Sequence, residues 1–518
     1  MRSKPTNPPV EVNLEELDRI IDSGMHTPLS EADGEKLKNA LHALAKRVAP
    51  RLRSTEKSRN VISGDNSASA AKRAKAAPKG HGRNSAAEYT GAERIKIRHE
   101  SLQAGDRCPE CRQGKVYPQR EPHTRIHIVG QAPIQATVYE MEALRCNGCG
   151  QVFTAETPAE ATGEKYDATA AAMIAQLRYG SGMPFQRLER LQKSLGIPLP
   201  AATQWDVVEQ ASGPIWPAFD ELIRQAAQGE VMHNDDTGMR ILKLAREPAP
   251  VGKAERTGVF TTGILSKVGV WMIALYFSGW KHAGENLADV LKHRLSGLAP
   301  LIQMCDALSR NAPQLTAGVR VLLAFCLAHG RRQFVDVAGN FPEQCRYVLE
   351  KLGCVWHHDQ LARERRLTQE QRLLFHQEHS GPVMTTLQEW MQTQLDDRLV
   401  EPNSGLGKAI QYMQRHWTEL TLFLREVGAP LDNNIVERML KKAILHRKNS
   451  LFYKTMNGAA VGDLFMSLIH TCELNRVNPF DYLTELQRHA EELRADPSEW
   501  MPWNYRQTLE RSAKPAAA

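Results

Sequence analysis

The chain has 518 residues, of which 42% are hydrophobic and 24% charged, with a formal net charge of +7. This length allows several domains around at least one large core, and the composition is that of an ordinary globular protein. No run of about 18 apolar residues occurs and the first residues lack an apolar signal segment, so we expect neither a membrane span nor secretion. Nine cysteines, most of them scattered in apolar surroundings, fit the reducing cytoplasm better than a disulfide framework.

The basic side chains are concentrated near the N-terminus. Residues 46–98 contain 14 Lys/Arg and 4 Asp/Glu, whereas the rest of the chain holds 52 Lys/Arg and 55 Asp/Glu. A basic arm beside a near-neutral body suggests contact with nucleic-acid phosphates. A solvated linker without a partner is the alternative.

The N-terminal residues 1–53 are predicted to be helical, because apolar side chains recur there at steps of three and four. This stripe fits either a short coiled coil for dimerisation or a plain amphipathic helix. Residues 54–92 are rich in small and polar residues that cannot bury a core, so they are predicted to form the basic flexible linker. The stripe consists of Leu37, Leu41, Leu44, Val48 and Leu52.

Four cysteines between residues 93 and 155 form two C-x2-C pairs. Two such pairs supply four thiolates at the spacing of a tetrahedral zinc site, and the segments between them alternate as strands do. We therefore predict a zinc ribbon with a structural Zn²⁺, either purely structural or contacting DNA. The ligands would be Cys108, Cys111, Cys146 and Cys149.

Residues 156–228 are predicted to be helical, with Gly/Pro turns between three short segments. Three short helices of this kind fit a helix-turn-helix-like region that binds DNA, and a plain helical connector is the alternative. The predicted helices are Ala168–Tyr179, Phe185–Leu195 and Ala202–Ser212.

From residue 229 to 334 the pattern changes to three β-rich runs, a helix and two further apolar runs. This order is compatible with the first part of an RNase H-like α/β core, within a multidomain α+β protein. The runs are Val231–Leu242, Gly258–Leu265, Val268–Phe277, Gly284–Leu298, Leu301–Cys305 and Val319–Leu327.

The C-terminal part is predicted to be almost entirely helical. Residues 335–430 would be a helical insertion, 431–475 a segment whose helix begins near Asp432, and 476–518 a helical tail. The tryptophans of the insertion and of the tail are expected to pack internally.

Three acidic residues occupy positions that converge at one end of an RNase H-like sheet. Asp235 lies in the first strand, Asp306 ends the strand after the first helix, and Glu437 lies in the second turn of a distant helix. Carboxylates so placed can hold two divalent ions, and hard oxygen ligands favour Mg²⁺ or Mn²⁺. With 59 acidic residues a chance trio is the alternative, in which Glu437 simply pairs with Lys441.

Basic residues surround Glu437 in a way that suits metal chemistry beside a polyanion. Two more arginines follow an apolar run near Cys326 and His329. We predict that these cations hold DNA phosphates, while Cys326 is simply buried and the role of His329 is open. The predicted phosphate-binding residues are Arg438, Lys441, Lys442, Arg447, Lys448, Arg331 and Arg332.

Several of these strings together resemble the signature of bacterial insertion-sequence-66 family transposases of the TnpC type. An Asp432-Asn433 pair precedes Glu437-Arg438, as in the family. The other matching strings are His233-Asn-Asp235-Asp-Thr237, Cys305-Asp306, the run from Cys326 to Phe334, and His446-Arg-Lys-Asn-Ser-Leu-Phe452.

The resemblance implies a DDE transposase that binds terminal inverted repeats and target DNA and performs Mg²⁺-dependent strand cleavage and strand transfer. It also implies a homodimer or larger synaptic complex, accessory transposition proteins and a nucleoid-associated location. One departure concerns Asp236, which replaces the usual Glu and makes Asp235 and Asp236 adjacent candidates, with the family position favouring Asp235. The alternatives are a transposase-derived DNA-binding or accessory protein without catalysis and, less favoured, a metal-dependent nuclease acting on RNA.

Overall fold

The computed structural model describes most of the chain from residue 101 onward. The N-terminal helix predicted within 1–53, the linker predicted at 54–92 except for residue 87, and Cys146 lie outside the described residues. The described residues are 87, 94–96, 101–119, 124, 126, 128, 131–145, 147, 149, 151–159, 162–244, 258–314 and 319–513.

The chain is a mixed α+β protein in which two short N-terminal strands precede a helical region, a five-stranded sheet and a second helical region. The strands are β1 (Ala143–Arg145), β2 (Val152–Thr154), β3 (Val231–Gly238), β4 (Ile241–Lys243), β5 (Phe260–Val268), β6 (Trp271–Gly279), β7 (Leu301–Cys305), β8 (Val321–Phe325) and β9 (Tyr453–Thr455).

The helices alternate with these strands only in the middle of the chain. They are α1 (Ala168–Ala175), continued by a π-turn over Gln176–Gly180, α2 (Phe185–Ser194), α3 (Ala201–Ala226), α4 (Ala283–Leu291), α5 (Leu327–Val337), α6 (Pro342–Glu364), α7 (Gln369–His379), α8 (Gly381–Asp396), α9 (Gly405–Arg415), α10 (Trp417–Leu420), α11 (Asn434–Ser450), α12 (Met456–Leu474), α13 (Pro479–Arg488), α14 (Ala490–Ala495) and α15 (Tyr505–Ala513).

The central sheet has the strand order β6-β5-β3-β7-β8. Strand β5 runs antiparallel to both of its neighbours, β6 and β3, whereas β7 and β8 run parallel to β3. The parallel strand β7 is buried at every position, as expected of a strand covered on both faces. This order brings the C-terminal ends of β3 and β7 side by side.

Helix α12 closes the β6 edge of the sheet with polar side chains. Ser467, Thr471 and Asn475 accept hydrogen bonds from the backbone N–H groups of Tyr276, Ala274 and Met272 at 2.9, 3.1 and 3.2 Å. One turn earlier on α12, Asp463 Oδ2 accepts from the N–H of Ser278 at 2.6 Å. A step of four residues along a helix is about 6 Å and a step of two along a strand about 6.7 Å, so the two rows match.

Helix α5 and the insertion that follows it, α6 to α10, share one hydrophobic core. Helices α5 to α10 pack around buried side chains such as Leu349, Leu387 and Ile410, and this core also takes in residues of β7 and β8. A second, larger core lies under α1, α3, α12 and α13 on the other side of the sheet. Among the described residues no helix has both the length and the apolar character that crossing a membrane requires.

Most predicted elements are confirmed, with four differences. Residues 136–142, where the alternating pattern between the two cysteine pairs predicted a strand, form no strand, and β1 and β2 instead flank the second pair. Helix α3 continues fourteen residues past Ser212, to Ala226, although Pro214 and Pro217 lie within it, because Ile215 and Leu222 extend its buried stripe. The first predicted strand is divided into β3 and β4 after Gly238, and the helix predicted at Gly284–Leu298 ends at Leu291. The predicted internal packing of the tryptophans is borne out at Trp500, which is 2% exposed.

Candidate active site

The three predicted acids approach one another at the C-terminal ends of β3 and β7. Asp235 lies within β3, and Asp306 directly follows β7, the parallel neighbour of β3. Glu437 lies in the first turn of α11, which packs against β3 and β5, rather than in the second turn as the sequence suggested. Their separations of 71 and 131 residues along the chain are thus bridged by the sheet and by α11.

The electrostatics of Asp235 reflect this crowding. Burial raises the pKa of Asp235 to about 7, and the negative charges of Asp306, Asp236 and Glu437 act in the same direction. A carboxylate that is destabilised by its acidic neighbours is stabilised by a cation placed among them. The donor set consists of hard oxygen atoms, which fit Mg²⁺ or Mn²⁺.

The three carboxylates are not packed into one tight group. Among the described residues, the one set of three metal-ligand side chains whose donor atoms all lie within 4.8 Å of one another is Cys326, His329 and Glu437. A wider spacing of the carboxylates is compatible with a pair of ions, because ions about 3.5–4 Å apart separate the outer ligands.

Asp236 has a different environment from Asp235. Successive strand residues point to opposite faces of the sheet, and Asp236 Oδ2 lies 2.9 Å from His282 Nδ1 while its Oδ1 lies 3.3 Å from Arg310 Nη2. Its side chain is only 1% exposed. Asp236 is therefore engaged in ion pairing beside α4. Asp235, in contrast, has other acidic side chains as its charged neighbours.

Asp306 is held by a group of fully buried amides that the sequence analysis missed. The Asn311 Nδ2 donates to Asp306 Oδ1. The backbone carbonyl of Asn311 accepts from Asn234 Nδ2 and from Gln303 Nε2, each at 2.8 Å, and Gln303 Nε2 also donates to Asn234 Oδ1 at 2.8 Å. All three amide side chains are 0% exposed, so they fix the loop that carries Asp306 against β3 and β7.

Asn433 fixes the start of α11. Its Nδ2 donates to the Asn234 carbonyl at 3.1 Å, and its Oδ1 lies 3.0 Å from His233 Nδ1. Burial lowers the pKa of His233 to about 4, so this neutral ring donates through Nδ1–H to the amide oxygen. The Asn433 N–H donates to Cys326 Sγ at 3.2 Å. The start of the helix that carries Glu437 is therefore tied to β3 and to the β8–α5 junction.

The structure shows where His329, whose role the sequence left open, lies relative to the acids. His329 Nε2 lies 3.9 Å from Glu437 Oε1, so this histidine belongs to the surroundings of the acids. Cys326 is fully buried as predicted, and burial raises the pKa of its thiol to about 12.

The predicted phosphate-binding residues divide into two groups. Lys442 forms an ion pair with Glu473 at 2.7 Å, and Arg447 donates to the Gly238 carbonyl and, at 3.2 Å, to Thr237 Oγ1. Burial lowers the pKa of the half-buried Arg331. The remaining members are exposed to solvent, three of them on α11 and one on α5. They are Arg438, Lys441, Lys448 and Arg332.

The first cysteine pair adopts a tight turn. The Cys108 N–H donates to the Gly114 carbonyl at 2.8 Å, and the Gly114 N–H lies 3.5 Å from Cys111 Sγ. The backbone N–H groups of Gly114 and Gln113 lower the pKa of the Cys111 thiol, together with Cys108. At the second pair, β1 and β2 form an antiparallel hairpin around exposed Cys149.

The sequence model described as Transposase IS66 family matches residues 164–461, more than half of the chain. The chain therefore belongs to the IS66 transposase family, as its motifs indicated.

Three proteins of Sinorhizobium fredii are similar to it. The uncharacterized protein y4hP is 27% identical over 382 residues, which is 70% of this chain and 67% of the relative. The uncharacterized protein y4jD is 37% identical over 167 residues, 32% of each chain. The uncharacterized protein y4qI is 24% identical over 356 residues, 65% of this chain and 62% of the relative. For the last two, this chain spans less than two thirds of the relative's length.

Proposed function

We propose that the chain is a DNA transposase that cuts and joins DNA strands with Mg²⁺ or Mn²⁺ held by Asp235, Asp306 and Glu437. The observation that carries this proposal is the convergence of the three acids, in which Asp235 is buried within the field of the other two. Membership of the IS66 transposase family supports the same reaction class.

The core that carries the acids is proposed to be RNase H-like. Support comes from the order of its elements, with three antiparallel strands followed by a helix and two parallel strands. The acids occupy the three positions expected for such a core. Asp235 lies in β3, the first strand of the central sheet, Asp306 follows β7, the fourth strand of that sheet along the chain, and Glu437 lies on the later helix α11. The insertion of helices α6 to α10 accounts for the long interval before Glu437.

When bound, two divalent ions would activate a water or a DNA 3′-hydroxyl and stabilise the leaving oxygen. The other residues of the site would position this machinery. Asn311 would orient Asp306 through its amide, and Asn433 would set the start of α11 and hence Glu437. Arg447, bonded to the end of β3, would brace the strand that carries Asp235 rather than hold a phosphate.

DNA recognition would use surfaces outside the acid cluster. The exposed cations Arg438, Lys441, Lys448 and Arg332 would contact backbone phosphates near the acids. The N-terminal cysteine pairs would hold a structural Zn²⁺ in a ribbon, for which the Gly114 N–H···Sγ contact is suitable geometry. Helices α1 to α3 would form the helix-turn-helix-like part that reads terminal inverted repeats, within a dimer or larger synaptic complex and with accessory proteins.

The test compares wild type with Glu437→Gln on DNA duplexes that carry the element's own ends, in Mg²⁺, by following strand cleavage and strand transfer on gels. Loss of a metal ligand is expected to reduce the rate at least about 100-fold, while end binding measured by mobility shift persists. The matched control is Glu491→Gln on α14, whose side chain is 81% exposed.

Equal activity of Glu437→Gln and wild type would overturn the proposal. A wild type that binds the ends but does not cut, even with the accessory proteins of its element, would favour the transposase-derived DNA-binding protein. Cleavage of RNA in place of DNA would favour the nuclease alternative.

A further inference from the structure

Three metal-ligand side chains of different chemical types meet beside the proposed magnesium centre. Cys326 precedes the first residue of α5, His329 lies in the first turn of that helix, and Glu437 lies in the first turn of α11. Their donor atoms all lie within 4.8 Å of one another. Two of them come from one helix start and the third from another, so the arrangement depends on the fold.

The polar atoms of this cluster are only partly satisfied by protein partners. His329 Nδ1 is buried without a hydrogen-bond partner, whereas Nε2 faces Glu437 Oε1 at 3.9 Å, which is too long for a hydrogen bond. The Cys326 sulfur already accepts the N–H of Asn433 at 3.2 Å, a contact that also stabilises a metal-bound thiolate. A bound cation would bring these donors together.

The side chains leave a route for an ion. Cys326 is fully buried, but His329 and Glu437 are 31% and 32% exposed at their side chains. The partial exposure of these two groups gives an ion access to the cluster.

The donor set distinguishes this cluster from the carboxylates beside it. Thiolate and imidazole are ligands for Zn²⁺, which takes three protein ligands and a water in open sites, whereas Mg²⁺ prefers oxygen ligands alone. We propose that Cys326, His329 and Glu437 form a binding site for Zn²⁺ that shares Glu437 with the magnesium centre. Binding releases the thiol proton to solvent, and no other covalent bond changes.

Sharing Glu437 gives the site a regulatory consequence, which rests on the proposed function. A Zn²⁺ ion held by Cys326 and His329 takes the Glu437 carboxylate away from the Asp235 and Asp306 side. Zinc therefore inhibits Mg²⁺-dependent cleavage in competition with Mg²⁺. With one thiolate among its ligands instead of four, this site binds zinc more weakly than a four-cysteine set.

The first experiment measures zinc stoichiometry rather than activity. The reduced full-length protein is dialysed against micromolar Zn²⁺, and bound zinc per chain is determined by mass spectrometry. We expect wild type to hold one more zinc than Cys326→Ser and His329→Gln. The control Cys345→Ser, which changes an equally buried cysteine in the insertion, holds as many as wild type. Because His329 is partly exposed, His329→Gln tests the site even if Cys326→Ser does not fold. Equal zinc content in His329→Gln and wild type overturns the site.

The second experiment measures inhibition on the cleavage substrate. The zinc concentration that halves the Mg²⁺-dependent rate is expected to rise at least about tenfold in His329→Gln, and to rise in wild type as Mg²⁺ is increased. Zinc binding without inhibition would overturn the sharing of Glu437. If wild type fails to cut DNA at all, the proposed function fails, while the stoichiometry still decides the zinc site.

Discussion

Replacing Asp235 by Asn is expected to stabilise the metal-free protein at pH 8. The pKa of Asp235 is raised from its usual 3.8 to about 7, so the folded state loses stability as the pH rises from about 4 to about 7. At about 1.36 kcal/mol per pKa unit, the ionised side chain opposes folding by about 4 kcal/mol at pH 8. Asn keeps the shape of the side chain and can still accept the N–H of Asp236, which Asp235 Oδ1 accepts at 2.8 Å. Relaxation around the charge reduces the expected gain to about 1–3 kcal/mol.

The assay is thermal unfolding in EDTA at pH 8 and pH 5. Asp235→Asn should melt at least about 2 °C above wild type at pH 8, and the difference should shrink at pH 5, where Asp235 of wild type is protonated. Added Mg²⁺ should raise the melting temperature of wild type more than that of the variant.

Asp236, the next residue in the chain, supplies a control for which the opposite change in melting temperature is expected. Asp236→Asn removes a buried carboxylate from His282 and Arg310, so this variant should melt below wild type at pH 8. An Asp235→Asn variant that is no more stable than wild type at pH 8, or a gain that persists at pH 5, would refute the electrostatic reasoning.

Two further predictions concern metal affinity and DNA binding. Asn311→Ala removes only the amide that holds Asp306, so the Mg²⁺ concentration for half-maximal cleavage should rise about 10–100-fold. Asn286→Ala, whose amide bonds Thr262, is the control, and unchanged Mg²⁺ dependence of Asn311→Ala would contradict the positioning role. The double change Lys441→Gln and Lys448→Gln should lower DNA affinity and reduce the salt slope measured by fluorescence anisotropy by about 1 per lysine. Lys442→Gln should change the salt slope less, because the Lys442 ammonium is paired with Glu473 within the protein. Equal slopes for wild type, the double variant and Lys442→Gln would argue against phosphate contact by α11.

Much of the fold could be predicted because hydrophobic periodicity is a local signal. The run Leu301–Cys305, apolar except for Gln303, has the pattern of a buried strand, and it is one. What periodicity cannot predict is pairing between distant segments, such as β4 with β9, where Ile241 pairs with Tyr453. Local signals also failed at Pro214, where burial of the helix face outweighed the prolines.

The three acids of the proposed site could be selected from the sequence because their neighbours form motifs, but the residues that surround them in the fold could not. Asn234, Gln303 and Asn311 belong to three segments, and ordinary amides give no sequence signal until the fold brings them together. Arg447 is the opposite case, a residue with a sequence signal whose contacts could not be predicted from that signal. Its position in a basic motif indicated phosphate binding, whereas the structure directs its guanidinium to the backbone of β3.

The row of α12 side chains along β6 has a consequence for how two copies of this chain can associate. An open strand edge is a template on which another chain can add a strand, which leads to shared sheets or to aggregation. Here the side chains of Ser467 and Thr471 already accept hydrogen bonds from outward N–H groups of β6. Asp463 and Asn475, one turn away on either side, do the same. A dimer therefore cannot form by continuing the sheet at this edge, and the strand is protected from templating aggregates as long as α12 remains docked.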